Sequence, residues 1–163
     1  MKKLGIRTTS IVGMTLASIG MLLLLTTDAN GTYLSDLLPG LIVISIGMGL
    51  TFVPVTLLAT SGVEHADAGL ASGLFNTSQQ VGGALGLAIL STLSVNRTDN
   101  ALSGLTGAPT QAQQNDALVT GFHAAFAGSA VLLATGIVVM ATLLKRSDVE
   151  QVDVDRPMTE MAA

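Results

Sequence analysis

Four long stretches of this chain are apolar and free of Asp, Glu, Lys and Arg, and short polar segments separate them. The first lies between Arg7 and Asp28 and the second between Asp36 and Glu64. The third lies between Asp67 and Arg97, and the fourth between Asp116 and Lys145. Each leaves room for the ~20 mainly apolar residues that a helix needs to cross a bilayer. Inside lipid the backbone must satisfy its own N–H and C=O groups, which turns such stretches into helices. One ionised side chain at a helix centre costs roughly 2.5 to 3.5 kcal/mol on insertion scales, so excluding every charge from all four windows is not accidental. The pattern predicts an all-α membrane protein with four transmembrane helices, at residues 8–26, 37–58, 69–94 and 122–144.

The links follow from what is left. Residues 27–36 form a short link with the turn signal Asn30-Gly31, and residues 59–68 form another, carrying Glu64, His65 and Asp67. Residues 95–121 are read as a much longer link, rich in Gly, Thr, Gln, Asn and Ala. Asp36 and Asp67 stand where helix caps are expected, and Pro39 falls in a first turn, where its missing N–H does no harm. The start Met1-Lys2-Lys3 before an apolar run is similar to a secretory leader, but Thr27-Asp28-Ala29 is a poor cleavage site, so an uncleaved first span is expected. Residues 147–163 form an acidic tail, expected to be disordered and cytoplasmic.

Charge sets the orientation. Lys2, Lys3 and Arg7 precede the first span and Lys145 and Arg146 follow the fourth, whereas Arg97 stands alone on the opposite side. Because Lys and Arg near span ends stay in the cytoplasm, both termini are expected there, in a multi-pass protein of the cell membrane. Charged residues make up only 11% of the chain, against roughly 25% in an ordinary soluble domain. No basic patch suits a nucleic acid. No cysteine is present, and His65 and His123 stand too far apart along the chain for a zinc site, so no metal or cofactor is expected. Nothing suggests an enzyme.

Candidate functional residues lie on the middle helices. The second span carries Gly47, Gly49 and Pro54, residues for close packing or a kink. The third holds Ser72, Asn76, Gln79 and Gln80 in its first half, followed by Gly82, Gly83 and Gly86. Ser72, Asn76, Gln79, Gly83 and Gly86 share one helix face, with Gln80 beside it. Two readings stand: a helix–helix seam in which glycines allow close approach and amides bond across it, or a face turned to a polar substrate pathway. Three amides exceed what a seam requires, which favours the pathway. Small residues also recur four apart on the outer spans, Gly13 with Ala17 and Ala124 with Gly128.

The stretch GMGLTFVPVTLLATSGVEHADAGLASGLFNTSQQVGGALGLAILSTL, residues 47–93, resembles the late helices of major facilitator superfamily transporters. The nearest branch is the fourteen-span drug/proton antiporters. The shared pattern is a glycine-rich span ending in Phe52-Val53-Pro54, a short cytoplasmic link, and the helix AGLASGLFNTSQQVGGALGLA at residues 68–88. The opening KKLGIRTT and the final GFHAAF are similar as well. The resemblance implies the end of the C-terminal half of that fold, with the first and fourth spans peripheral and the second and third facing the substrate cavity. It implies multidrug or small-molecule efflux by alternating access.

A transporter of that kind has twelve or fourteen spans, and four are predicted here. The missing N-terminal helices are therefore expected partners, with a small-molecule substrate for the complete assembly. No Asp, Glu, Lys or Arg lies within the predicted spans, so this portion alone is not expected to couple transport to protons. The alternative is a small four-span protein that assembles with itself or with a partner.

Overall fold

The computed structural model describes residues 5–60, 63, 66–105 and 107–143. Glu64, His65, Lys145, Arg146 and the acidic tail lie outside the described residues. Four helices account for most of the rest: α1 (Ile6–Leu23), α2 (Leu38–Thr60), α3 (Ala68–Ser103) and α4 (Gln111–Leu143). A 3-10 turn, Leu24–Thr26, ends α1, and a π-helical turn, Tyr33–Leu37, leads into α2.

Among the described residues, three helices are long and apolar enough to cross a membrane. They are Ile6–Thr26, with mean hydropathy 1.8, and Tyr33–Leu57 and Gln111–Thr142, each with 2.1. α3, at 36 residues, has ample length but is not among them. Its Ser72, Asn76, Thr77, Ser78, Gln79 and Gln80 dilute the apolar run.

The expected long link at 95–121 is mostly helix. α3 continues to Ser103, nine residues past the expected end at 94, and α4 begins at Gln111, eleven before the expected start at 122. A reciprocal cap explains the early start of α4: the Thr110 N–H donates to Gln113 Oε1 at 2.9 Å, and the Gln113 N–H donates to Thr110 Oγ1 at 3.4 Å. The Thr-x-x-Gln spacing satisfies two otherwise orphaned groups at the helix start. Gly107, with φ of 100°, supplies the left-handed backbone that closes the short turn.

The two aspartate caps are corrected. Asp67 does precede α3, but its side chain makes no capping hydrogen bond. Asp36 lies inside the π-helical turn rather than at a helix start, and its Oδ1 accepts from the Ser35 hydroxyl. Pro39 sits in the first turn of α2, as expected. Pro54 lies within α2 and is buried, and the helix is continuous through it.

α1 packs along α2 on one side and α4 on another, while α3 packs mainly on α4. The α1–α2 seam is made of small residues. Gly13, Ala17 and Gly20 of α1 are buried, and Gly40 and Gly47 of α2 are buried opposite them. A methyl group on Gly20 would come within 2.9 Å of the Gly40 carbonyl oxygen. Without Cβ atoms, two backbones can approach until dispersion acts directly between them, the main attraction available where lipid removes any hydrophobic gain.

Candidate substrate-pathway helix

Ser72, Asn76, Gln79 and Gln80 are all exposed along the first half of α3. Among the described residues no seam hides them: a Cβ added at Gly73, Gly82, Gly83 or Gly86 would meet nothing within 4 Å. Gly49 on α2 is equally open, whereas Gly47 is enclosed by Gly13 and Ala17. The candidate packing residues thus divide. Gly47 holds α1 and α2 together, while Gly49 and the α3 glycines present bare backbone.

The second half of α3 behaves differently. Asn76 and Ser94 are about five helical turns apart and so share one azimuth. At Ser94 that azimuth is covered by α4: a methyl on Gly121 would lie 2.7 Å from the Ser94 carbonyl oxygen. One on Gly128 would lie 2.9 Å from Leu90 Cδ2. Beyond Gly128, α4 turns its contacts to α1. Ser18 Oγ donates to the Ala130 carbonyl over a long 3.4 Å, and Gly136 lies against Met14 Cε. Arg7 Nη2 donates to the Ala141 carbonyl. The same face of α3 is therefore closed against α4 near the 104–110 turn and open at the amides.

His123 lies well inside α4, which begins at Gln111. His123 Nε2 meets the Thr27 carbonyl at 2.9 Å, which fastens α4 to the end of α1. Among the described residues no group of His, Cys, Asp or Glu could hold a metal ion. The spacing of Gly40, Ile44, Gly47 and Thr51, four and three residues apart, carries the signal for the α2 side of the α1–α2 seam, where sequence singles out only Gly47; on the α1 side it singles out Gly13 and Ala17.

The family follows from comparison. The Major Facilitator Superfamily family model matches residues 1–87, from the start of the chain through the amide-bearing first half of α3 and the glycines that follow it. The chain belongs to the Major Facilitator Superfamily. It is a multi-pass membrane protein, and its all-helical fold agrees with that membership. It is 37% identical to a puromycin resistance protein of Streptomyces alboniger, over 86% of this chain and 28% of the relative. It is 42% identical to a cephamycin export protein of Amycolatopsis lactamdurans, over 68% of this chain and 20% of the relative. A probable actinorhodin transporter of Streptomyces coelicolor is 34% identical over half of the chain. The chain spans about a quarter of the length of the first two relatives. No solved structure matches.

Proposed function

We propose that these helices form part of a small-molecule efflux transporter of the major facilitator type, in which α3 crosses the membrane and contributes its amide face to the substrate pathway. The observation that carries this reading is the exposure of Ser72, Asn76, Gln79 and Gln80 on a face that is packed against α4 only farther along the same helix. Bare amides in a membrane helix are costly against lipid and are tolerated where they line water or meet polar groups. Uncharged donors and acceptors can bind polar solutes without burying an ion. The helices that would complete the cavity are supplied from the rest of such a transporter, a role supported by the fraction of each relative that this chain spans. Puromycin resistance, cephamycin export and actinorhodin transport in the relatives' names support organic small molecules as the cargo class.

Lys2, Lys3, Arg7, Lys145 and Arg146, against Arg97 alone, support a reading with both termini in the cytoplasm and the 104–110 turn external. The test is cysteine accessibility in the assembled transporter. Cysteines at Asn76, Gln79 and Gln80 should react with a polar thiol reagent and be protected by substrate, while cysteines at Leu74 and Val81 label poorly. Uniformly low reactivity at all five positions would leave the stripe as a dry seam and favour assembly of a small membrane protein instead.

A further inference from the structure

α2 presents three faces, and its contacts with α1 fix which is which. Gly40, Ile44, Gly47 and Thr51 lie against α1: a methyl on Gly13 would come within 2.9 Å of the Thr51 backbone nitrogen, and one on Gly20 within 2.9 Å of that of Ile44. At about 3.6 residues per turn, Ile42, Ile46, Val53 and Leu57 share a second face. All four are exposed, and the face is wholly aliphatic, as a surface against lipid tails requires. Ser45, Gly49, Phe52 and Thr56, spaced four, three and four apart, form the third face, which points away from α1. The Ser45 hydroxyl donates to the Leu41 carbonyl at 2.8 Å, and the Thr56 hydroxyl to the Phe52 carbonyl at 2.8 Å. Both hydroxyls therefore lie back along the helix and Gly49 has no side chain. Phe52, 55% exposed, is what projects from this face.

That third face is level, position for position, with the amides of α3. α2 ends at Thr60 and α3 begins at Ala68. Phe52 stands eight residues before that end and Asn76 eight residues after that start, so each is about 12 Å along its helix from the link between them. In the same way Thr56 matches Ser72, Gly49 matches Gln79, and Ser45 matches Gly83. Both faces are open at matched depth, since a Cβ added at Gly49 or at Gly83 would meet nothing within 4 Å. We propose that Ser45, Gly49, Phe52 and Thr56 form a second wall of the pathway lined by the α3 amides, and that Phe52 sets its specificity by stacking on the planar ring of an uncharged aromatic cargo. This rests on the efflux reading above. The cargo is uncharged because neither face carries an Asp, Glu, Lys or Arg to pair with an ion. It is aromatic because the Phe52 ring gains most from an offset-stacked or edge-on ring, while Asn76 and Gln79 bond the polar groups at the same depth.

Cysteine labelling in the assembled transporter tests the wall. Phe52→Cys should react with a cationic methanethiosulfonate reagent about as fast as Asn76→Cys, and Ile46→Cys, on the aliphatic face, far more slowly. Slow labelling of Phe52→Cys beside fast labelling of Asn76→Cys would overturn the second wall and leave the amide pathway standing. Slow labelling of both would remove the pathway and the proposal with it, and equal rates at Phe52→Cys and Ile46→Cys would also overturn the wall. Stacking is read with acridone and caprolactam, neutral probes that each carry one N–H and one C=O, of which only acridone has an aromatic surface. Acridone should protect Asn76→Cys from the reagent. Adding Phe52→Leu should raise the acridone concentration needed about fivefold, the scale of one aromatic contact, whereas Phe52→Tyr should preserve the protection. Any protection by caprolactam should be unchanged by Phe52→Leu. Absence of protection by acridone, or equal loss for both probes, would overturn the aromatic assignment.

Discussion

Gly13 and Gly47 sit back to back: a methyl on Gly13 would lie 2.7 Å from the Gly47 carbonyl oxygen, and one on Gly47 would lie 2.5 Å from that of Gly13. Both obstructing atoms are backbone, so neither can rotate away.

Gly47→Ala should therefore force α1 and α2 apart, with a loss of roughly 1 to 3 kcal/mol, the usual cost of overpacking. Gly49→Ala, two residues along the same helix and open to its surroundings, should cost nothing. Thermal unfolding of the detergent-solubilised variants compares them. Equal melting temperatures would mean the seam is looser than the structure shows.

The parting of α3 from α4 is open to cross-linking. The chain has no cysteine, so introduced pairs report without background. Leu90→Cys with Gly128→Cys should cross-link, because a Cβ at 128 would meet only the tips of the Leu90 and Leu93 side chains, 2.9 and 3.2 Å away. Gly83→Cys with Gly136→Cys should not, since nothing lies within 4 Å of Gly83 and Gly136 faces Met14. Efficient closure of the second pair would show that the two helices stay together along their length.

Thr110→Ala removes one half of the reciprocal cap at the start of α4. The expected loss is about 1 kcal/mol, concentrated in the first turn. Hydrogen exchange should accelerate at residues 111–116 and remain unchanged at 130–140. Uniform acceleration would point to global destabilisation and not to a capping role.

Orientation is checked by reporter fusions. A fusion after Arg146 should read cytoplasmic and one at Thr106 external, because Arg97 alone opposes five cations at the other end. A cytoplasmic signal at Thr106 would reverse the orientation or remove one crossing.

The helices were legible because lipid leaves so little choice: charges mark where each stretch must end, and the backbone must then bond to itself. Charge placement bounds only the apolar part of a helix, however. The extension of α3 to Ser103 and the start of α4 at Gln111 lie in polar sequence that resembles a loop by composition. Thr110 and Gln113 held the missing signal, since their spacing is that of a capping box. Asp67 misled in the opposite sense, as a residue of the right type whose side chain caps nothing. The amide face of α3 was visible as a period, but its opening was not. Whether Asn76 or Ser94 meets α4 depends on where α4 turns toward α1, and that is decided by Ser18, Met14 and Arg7 on another helix.

The helical extension around the 104–110 turn also has a practical side. At 1.5 Å per residue, the 36 residues of α3 extend about 54 Å, well over the ~30 Å of bilayer hydrocarbon. Proteins that are almost wholly embedded give electron cryomicroscopy little to align on. A hairpin clasped by Gly121 against Ser94 and Thr98 offers a stiff stalk, and a small folded tag spliced between Gly104 and Thr110 would inherit the direction of both helices. Its tilt in images would then report the direction of α3.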